Sequence, residues 1–380
     1  MFKKRFERQL SLKHQAGLYR EPLPISRREG KYVFIGGRKV LNLSSNDYLG
    51  LGASQKLREK VCRNFLKYGT SSSSSRLVCG NYSIISQAEK EYAHYFGYED
   101  ALFFPSGYQA NIGVISTLFA KGDTILYDKH VHASSVKGML LSGANILGYN
   151  HNRLSHLEKR LAKNSHNHIS VLTESIFSMD GDLLKVSDLA GLKKHYTFLA
   201  IVDEAHAFGV IGENGKGIAR DVADVATGTF GKALGLFGAF VLLPRLFKEY
   251  LLNFSSPLIY STALPEAHAA SAIDLLEIIS QSKQRRKELK GVSLFMKESV
   301  KKEGFKVSGD AHILAVEIGN ENRALAVSNK LLEKDIFVFT ARYPTVPLGK
   351  AILRISMSAL HDENDARHFV RTLKEVLKQV

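Results

Sequence analysis

The chain has 380 residues, of which 44% are hydrophobic and 23% charged, a globular composition with enough apolar surface for a large core, which excludes disorder. Lys and Arg number 52 against 37 Asp and Glu, a formal charge of +15 that attracts polyanions. The basic residues are scattered and come with neither zinc-finger spacing nor an aromatic RNA-binding signature, so phosphorylated cofactors, coenzyme A or an acidic carrier protein are expected as partners and nucleic acid is not.

In chain order, MFKKRFERQLSLKHQ comes first. No apolar stretch follows its basic residues, so it is not a secretory signal; Phe2, Phe6 and Leu10 recur at four-residue spacing, which predicts an amphipathic helix that packs. Cys62 and Cys79 are the only cysteines and form no Cys-x-x-Cys pair, which points to a reducing cytoplasm and to no thiolate metal site. A low-complexity tract runs from Ser71 to Ser75. Short apolar runs at Ala101–Phe104, Thr124–Tyr127, Ile169–Thr173 and Leu199–Val202 are each followed by a helix-length segment, the rhythm of a parallel sheet covered by helices. Such a sheet binds ligands at the carboxyl ends of its strands. The longest apolar run, Leu234 to Pro244, holds two glycines and falls short of the ~18 residues of a spanning helix, so no membrane segment is expected. From about residue 284 a charged amphipathic helix leads into strands at His312–Ile318, Ile336–Thr340 and Ile352–Ser356, and ENDARHFVRTLKEVLKQV closes the chain as a helix. The expected division is an N-terminal segment 1–45, a large α/β domain 46–283 and a small α+β domain 284–380.

Four segments carry candidate chemistry. In TGTFGKALG, residues 227–235, Lys232 stands among glycines; desolvation lowers a lysine's pKa and glycines let the backbone approach a flat ring, as a Schiff base requires, although such a loop is also what a solvated turn looks like. In LAIVDEAH, residues 199–206, a buried strand ends in Asp203, placed to pair with a protonated pyridine nitrogen, with His206 three residues on. The bland alternative is an acid at a strand end; DEAH also occurs in helicases, but no Walker A motif stands upstream. In FFPSGYQAN, residues 103–111, a strand gives way to a helix whose first N–H groups, at Ser106, Gly107 and Tyr108, suit a phosphate, or Ser106 is simply an N-cap. In DKHVHAS, residues 128–134, His132 follows a strand at the same sheet edge and could stack on a ring.

Together these segments resemble the α-oxoamine synthases, pyridoxal 5'-phosphate (PLP) enzymes of the aspartate aminotransferase-like fold type I. The resemblance runs from about Leu18 to His361 and adds SSNDYLGL (44–51), HASS (132–135), TESIFSMDGD (173–182), IYSTALP (259–265) and YPTVP (343–347). It implies that Lys232 holds the cofactor and acts as base, Asp203 meets the ring nitrogen, His206 and Ser178 contact the ring oxygen, and His132 stacks on the ring. Ser106, Gly107, Tyr108 and Thr229 would hold the phosphate, with Thr262 reaching it from the partner subunit of a homodimer. Arg20, Asn46, Thr345 and Arg354 would handle substrate carboxylate and acyl groups. Within the family the resemblance favours the branch of biotin biosynthesis that condenses L-alanine with a pimeloyl thioester, on coenzyme A or an acyl carrier protein. A glycine C-acetyltransferase is the alternative, and a non-catalytic basic protein on the same fold is a remote one. Two departures stand out: Ser71 to Ser75 replaces a glycine-rich stretch, and Ile85 replaces a histidine.

Overall fold

The computed structural model describes residues 2–164 and 168–380. Two compact units emerge, one of residues 54–177 and 183–284, the other of residues 1–53, 178–182 and 285–380.

The first unit is built on a seven-stranded sheet in the order Asp100–Phe104, Ala239–Leu243, Val225–Thr229, Leu199–Asp203, Ile169–Glu174, Thr124–Asp128, Asn145–Tyr149. The last five strands run parallel, and Ala239–Leu243 runs antiparallel to both its neighbours. Ile169–Glu174 and Ala239–Leu243 are buried at every position, as strands covered on both faces must be. The apolar run that is too short for a membrane is thus a core strand. Among the described residues no helix is long and apolar enough to cross a membrane.

Beneath the turn after Val225–Thr229 lies an aromatic cluster: Phe230 packs 5.3 Å from Tyr92, 5.1 Å from Phe103 and 5.1 Å from Phe240, ring centre to ring centre. Each such fully buried ring stabilises the fold by about 1.5–3 kcal/mol. Gly228 is required here, because a Cβ would come within 2.3 Å of the Phe240 ring.

A buried ion cluster ties the unit's helices to its edge strand. Glu89, fully buried, accepts from the Phe103 backbone N–H at 2.9 Å, pairs with Lys248 at 2.9 Å and is gripped by Arg76. Lys248 also reaches Asp100 at 2.7 Å. Removing one member of a buried cluster leaves the others desolvated without their partner. Glu89→Ala is therefore expected to lower stability by about 3–5 kcal/mol, read from urea or guanidinium unfolding; a loss near zero would show the cluster to be dispensable. Ile85, the position of one departure, is buried in the same helix, Ser83–Phe96.

The second unit holds two four-stranded sheets, ordered Ile25–Glu29, Tyr32–Ile35, Arg38–Asn42, Ile336–Phe337 and Val307–Ser308, Ile313–Gly319, Ala351–Ser356, Phe339–Ala341. The single strand expected at Ile336–Thr340 is two. The chain pairs in parallel with Arg38–Asn42, passes through the fully buried Val338, and then pairs antiparallel with Ala351–Ser356. The final helix, Glu363–Leu377, starts with a capping box between Asp362 and Asp365, whose carboxylates also receive Lys31 at 2.9 and 2.7 Å. The predicted N-terminal helix forms at Phe2–Gln15, but its packing expectation is corrected. None of its residues is buried, and Phe2 is 67% and Leu10 52% exposed, so among the described residues nothing covers the stripe.

Candidate active site

In the sheet unit, the candidate residues collect at the carboxyl ends of neighbouring strands. Leu199–Asp203 ends in Asp203, Val225–Thr229 in Thr229, and Ile169–Glu174 in Glu174. The register of the parallel ladder sets Glu174 directly beside Asp203. Lys232 stands in the turn that joins Val225–Thr229 to Ala239–Leu243, and its Nζ lies 2.9 Å from Nε2 of His206, which is buried.

That turn is held from several sides. Phe230 and Gly238 share a backbone bond at 2.9 Å, Leu236 N–H donates to the Phe230 carbonyl at 2.9 Å, and Thr229 Oγ1 donates to the Gly238 carbonyl at 3.0 Å. His268 Nε2 donates to the Phe237 carbonyl. Burial pulls the His268 imidazole down to about 4, so at neutral pH it works as an uncharged clamp on the loop.

Ser106 caps the helix Gly107–Leu118 by accepting from Gln109 N–H at 3.2 Å. The N–H groups of Gly107 and Tyr108 then have no acceptor inside the helix. A Cβ on Gly107 would meet Thr229 at 3.9 Å, so this helix start adjoins the Thr229 hydroxyl. His132 likewise caps the helix Ala133–Ser142, its Nδ1 accepting from Ser134 N–H at 3.3 Å. Burial, and then the Lys232 cation, push its pKa down against the pull of Asp203, so the imidazole is neutral near pH 7.

Three residues outside the expected set belong to this constellation. Asn111 Nδ2 donates to Asp203 Oδ2 at 2.8 Å and to Ser134 Oγ at 3.0 Å, and Ser134 Oγ lies 2.7 Å from His132 Nδ1. Glu174 accepts from the His132 backbone N–H at 2.5 Å. Its pKa is raised well above the usual carboxylate range, first by burial and then by the Asp203 charge. All three lie inside the motifs FFPSGYQAN, HASS and TESIFSMDGD. The signal for Asn111 is a polar residue within the apolar face of its helix.

In the other unit, Arg354 is 5% exposed and donates to the Ser178 carbonyl at 2.5 Å, to Ser356 Oγ at 2.6 Å and to Asn46 Oδ1 at 3.3 Å. Asn46 also accepts from the Tyr48 hydroxyl at 2.9 Å. Exposed Arg20 reaches Thr345 Oγ1 at 3.3 Å. Thr262, exposed, lies in the sheet unit opposite Ser75 in an antiparallel bridge, and Ala263 N–H donates to the Ser74 carbonyl at 2.9 Å. The serine tract is thereby a shaped loop, not a slack one.

The donor set fits PLP. An amine suits its aldehyde carbon, a strand-end carboxylate its ring nitrogen, an imidazole its face, and free N–H groups with a hydroxyl its phosphate. Comparisons with known proteins agree. The aminotransferase class I and II family matches residues 38–373. An 8-amino-7-oxononanoate synthase of Anaeromyxobacter dehalogenans is 40% identical over 95% of this chain and 92% of its own length. The chain belongs to the 8-amino-7-oxononanoate synthase family. A crystal structure of such a synthase from Francisella tularensis superposes with a TM-score of 0.79 at 31% identity, covering 90% of this chain and 98% of that one. A serine palmitoyltransferase of Sphingomonas wittichii superposes with a TM-score of 0.92 at 27% identity, covering 100% and 97%. The aspartate aminotransferase-like fold expected from the sequence is thus the observed one, and the chain is a PLP-dependent enzyme of the α-oxoamine synthases.

Proposed function

We propose that the chain condenses L-alanine with a pimeloyl thioester, on coenzyme A or an acyl carrier protein, to give 8-amino-7-oxononanoate, carbon dioxide and free thiol. The observation that carries this is Lys232 beside His206 at the strand edge that also holds Asp203, Asn111 and His132. PLP, when bound, supplies an electron sink for the pair released as a bond to the substrate α-carbon breaks. Lys232 would hold the cofactor through its Nζ and, when not so engaged, would accept the substrate α-proton and later return one. Asp203 would keep the ring nitrogen protonated. His132 would cover the ring face, and His206 and Ser178 would take the ring oxygen. Ser106 fixes the helix start whose Gly107 and Tyr108 N–H groups, with Thr229, receive the phosphate. Arg354 and Asn46 take a substrate carboxylate, and Arg20 with Thr345 the acyl end.

Steady-state assays of alanine, glycine and serine against pimeloyl, acetyl and palmitoyl thioesters test the reading. Alanine with pimeloyl thioester is expected to lead. Glycine with acetyl thioester in front would move the chain to the acetyltransferase branch. The serine and palmitoyl arms address the closer superposition on a serine palmitoyltransferase. With a chain of +15, KM for the anionic thioester is expected to rise with salt, more steeply for an acidic carrier protein than for coenzyme A; a flat salt response would remove the charge from substrate capture.

We propose further that the enzyme is a homodimer whose sites are shared through Thr262. Leu77, Val78 and Tyr260, flanking the Ser75–Thr262 bridge, are 71%, 78% and 81% exposed, the kind of apolar surface a partner covers. Mixing inactive Lys232→Ala with an inactive Thr262 variant is expected to restore part of the activity through one intact hybrid site. Subunit exchange without recovery would place each site within one chain.

A further inference from the structure

Asn111 is the one polar side chain among the buried residues of its helix, and its two amide protons have separate destinations, Asp203 Oδ2 at 2.8 Å and Ser134 Oγ at 3.0 Å. The opposite amide orientation would set its carbonyl against a carboxylate, so the assignment of Nδ2 is forced by charge. The rest of the chain of bonds has a direction too. A backbone N–H only donates, and Ser134 N–H points at His132 Nδ1 from 3.3 Å, so Nδ1 carries a lone pair. The Ser134 hydroxyl, 2.7 Å from the same nitrogen, therefore gives its proton to His132 and accepts from Asn111. The second carboxylate oxygen of Asp203 is fixed separately by the Ala205 N–H at 2.9 Å.

We infer that Asn111 is a positioning residue for the reaction: one amide group sets the Asp203 carboxylate and, through Ser134, holds His132 as the Nε2–H tautomer, so that both ring contacts are fixed together. The inference rests on the reading of Asp203 and His132 as the groups that meet the cofactor ring. It explains why a helix that needs only apolar residues on this face carries an amide. Two donors are wanted at one point, one toward a carboxylate and one toward a hydroxyl that must itself donate onward. Aspartate in the same volume offers acceptors to both, and alanine offers nothing.

The test uses the PLP-loaded enzyme with Asn111→Asp, Asn111→Ala, Ser134→Ala and the double variant Asn111→Ala/Ser134→Ala. Four quantities are read: the PLP dissociation constant, the pH midpoint of the visible band of Lys232-bound cofactor, kcat, and KM for the amino acid. Asn111→Asp and Asn111→Ala are expected to lower kcat by ~10- to 100-fold, the scale of one hydrogen bond to a charged group, with KM within about threefold. In Asn111→Asp the added negative charge is expected to carry the visible-band midpoint to higher pH. The double variant is expected to lose less than the product of the single losses, since both act on one chain of bonds. A structural role alone would lower the melting temperature and leave the midpoint where it is. Unchanged midpoint and kcat in both Asn111 variants, or fully multiplicative losses in the double variant, would overturn the inference. Should Asn111→Ala fail to fold, Ser134→Ala against Ser134→Thr, which keeps the hydroxyl, still tests the His132 half: the threonine should restore kcat, and no difference between the two overturns it. An Asp203→Asn enzyme of full activity would instead bring down the underlying reading of the ring contacts, whatever Asn111 does.

Discussion

Lys232→Ala is expected to abolish turnover, with kcat down by at least ~10⁴-fold, because in the proposed function one side chain both holds the cofactor and moves the α-proton, and a positioned base alone contributes up to about that factor. The substitution leaves the loop's supports in place. Phe230 stays in its aromatic cluster, and the Thr229, Leu236 and His268 bonds do not involve the lysine. The variant should therefore melt close to the parent and retain PLP weakly through the phosphate and ring contacts. Borohydride treatment followed by mass analysis supplies the check: the parent should gain a reduced PLP adduct at Lys232, and the variant none. An adduct persisting on another lysine would move the cofactor's attachment point.

The alternation of apolar runs and helix-length segments was sufficient to read the parallel sheet, because Leu199–Asp203 is apolar up to its last residue and Ile169–Glu174, buried throughout, keeps Ile169, Val171 and Leu172. Val225–Thr229 escaped that reading. Its sequence, Val-Ala-Thr-Gly-Thr, shows no apolar run, since Gly228 is demanded by the Phe240 ring and Thr229 by the turn it closes. Asn145–Tyr149 escaped because it is an edge strand whose first residue is exposed. Ile25–Glu29 was missed for the same kind of reason: it is exposed along its whole length, so no burial pattern is written into it.

The site was legible to the extent that its residues sit in motifs at strand ends. Lys232, Asp203 and His206 are brought within one constellation, and Arg354 does meet Asn46 and Ser178 in the other unit. What sequence could not supply is the connection between side chains. Asn111 and Ser134 are 23 residues apart and Asn111 and Asp203 are 92 apart. Only the packing of the Gly107–Leu118 helix against the strand ends makes them partners. Glu174 beside Asp203 is a matter of ladder register, which no periodicity within either strand determines.

Asp203→Asn is expected to keep the fold and lose ~10²-fold or more in kcat, and the geometry shows why an isosteric change does so much. An anionic partner within about 4–6 Å shifts a titrating group by roughly 1–3 pKa units; with Asp203 in its proposed place the amide would remove that pull, and the ring nitrogen would lose its proton and the electron sink weaken. The surrounding bonds then fail in turn. Asp203 accepts at both oxygens, from Asn111 Nδ2 and from Ala205 N–H, and an asparagine can satisfy only one of these donors with its single carbonyl. If its amine faces Asn111, that amide must flip to accept, and Ser134 loses the donor that leaves its own proton free for His132. If its amine faces Ala205, two donors confront each other at a strand end. The first outcome breaks the chain that orients His132 and the second leaves an unpaired donor at Ala205, so the variant should show an altered visible band together with the lower kcat, while borohydride still reduces PLP onto Lys232. Circular dichroism and a melting curve near the parent's would separate this from unfolding. Parent-like turnover in a folded, PLP-loaded Asp203→Asn enzyme would remove Asp203 from the ring nitrogen and leave Glu174, its neighbour in the ladder, as the acid to examine.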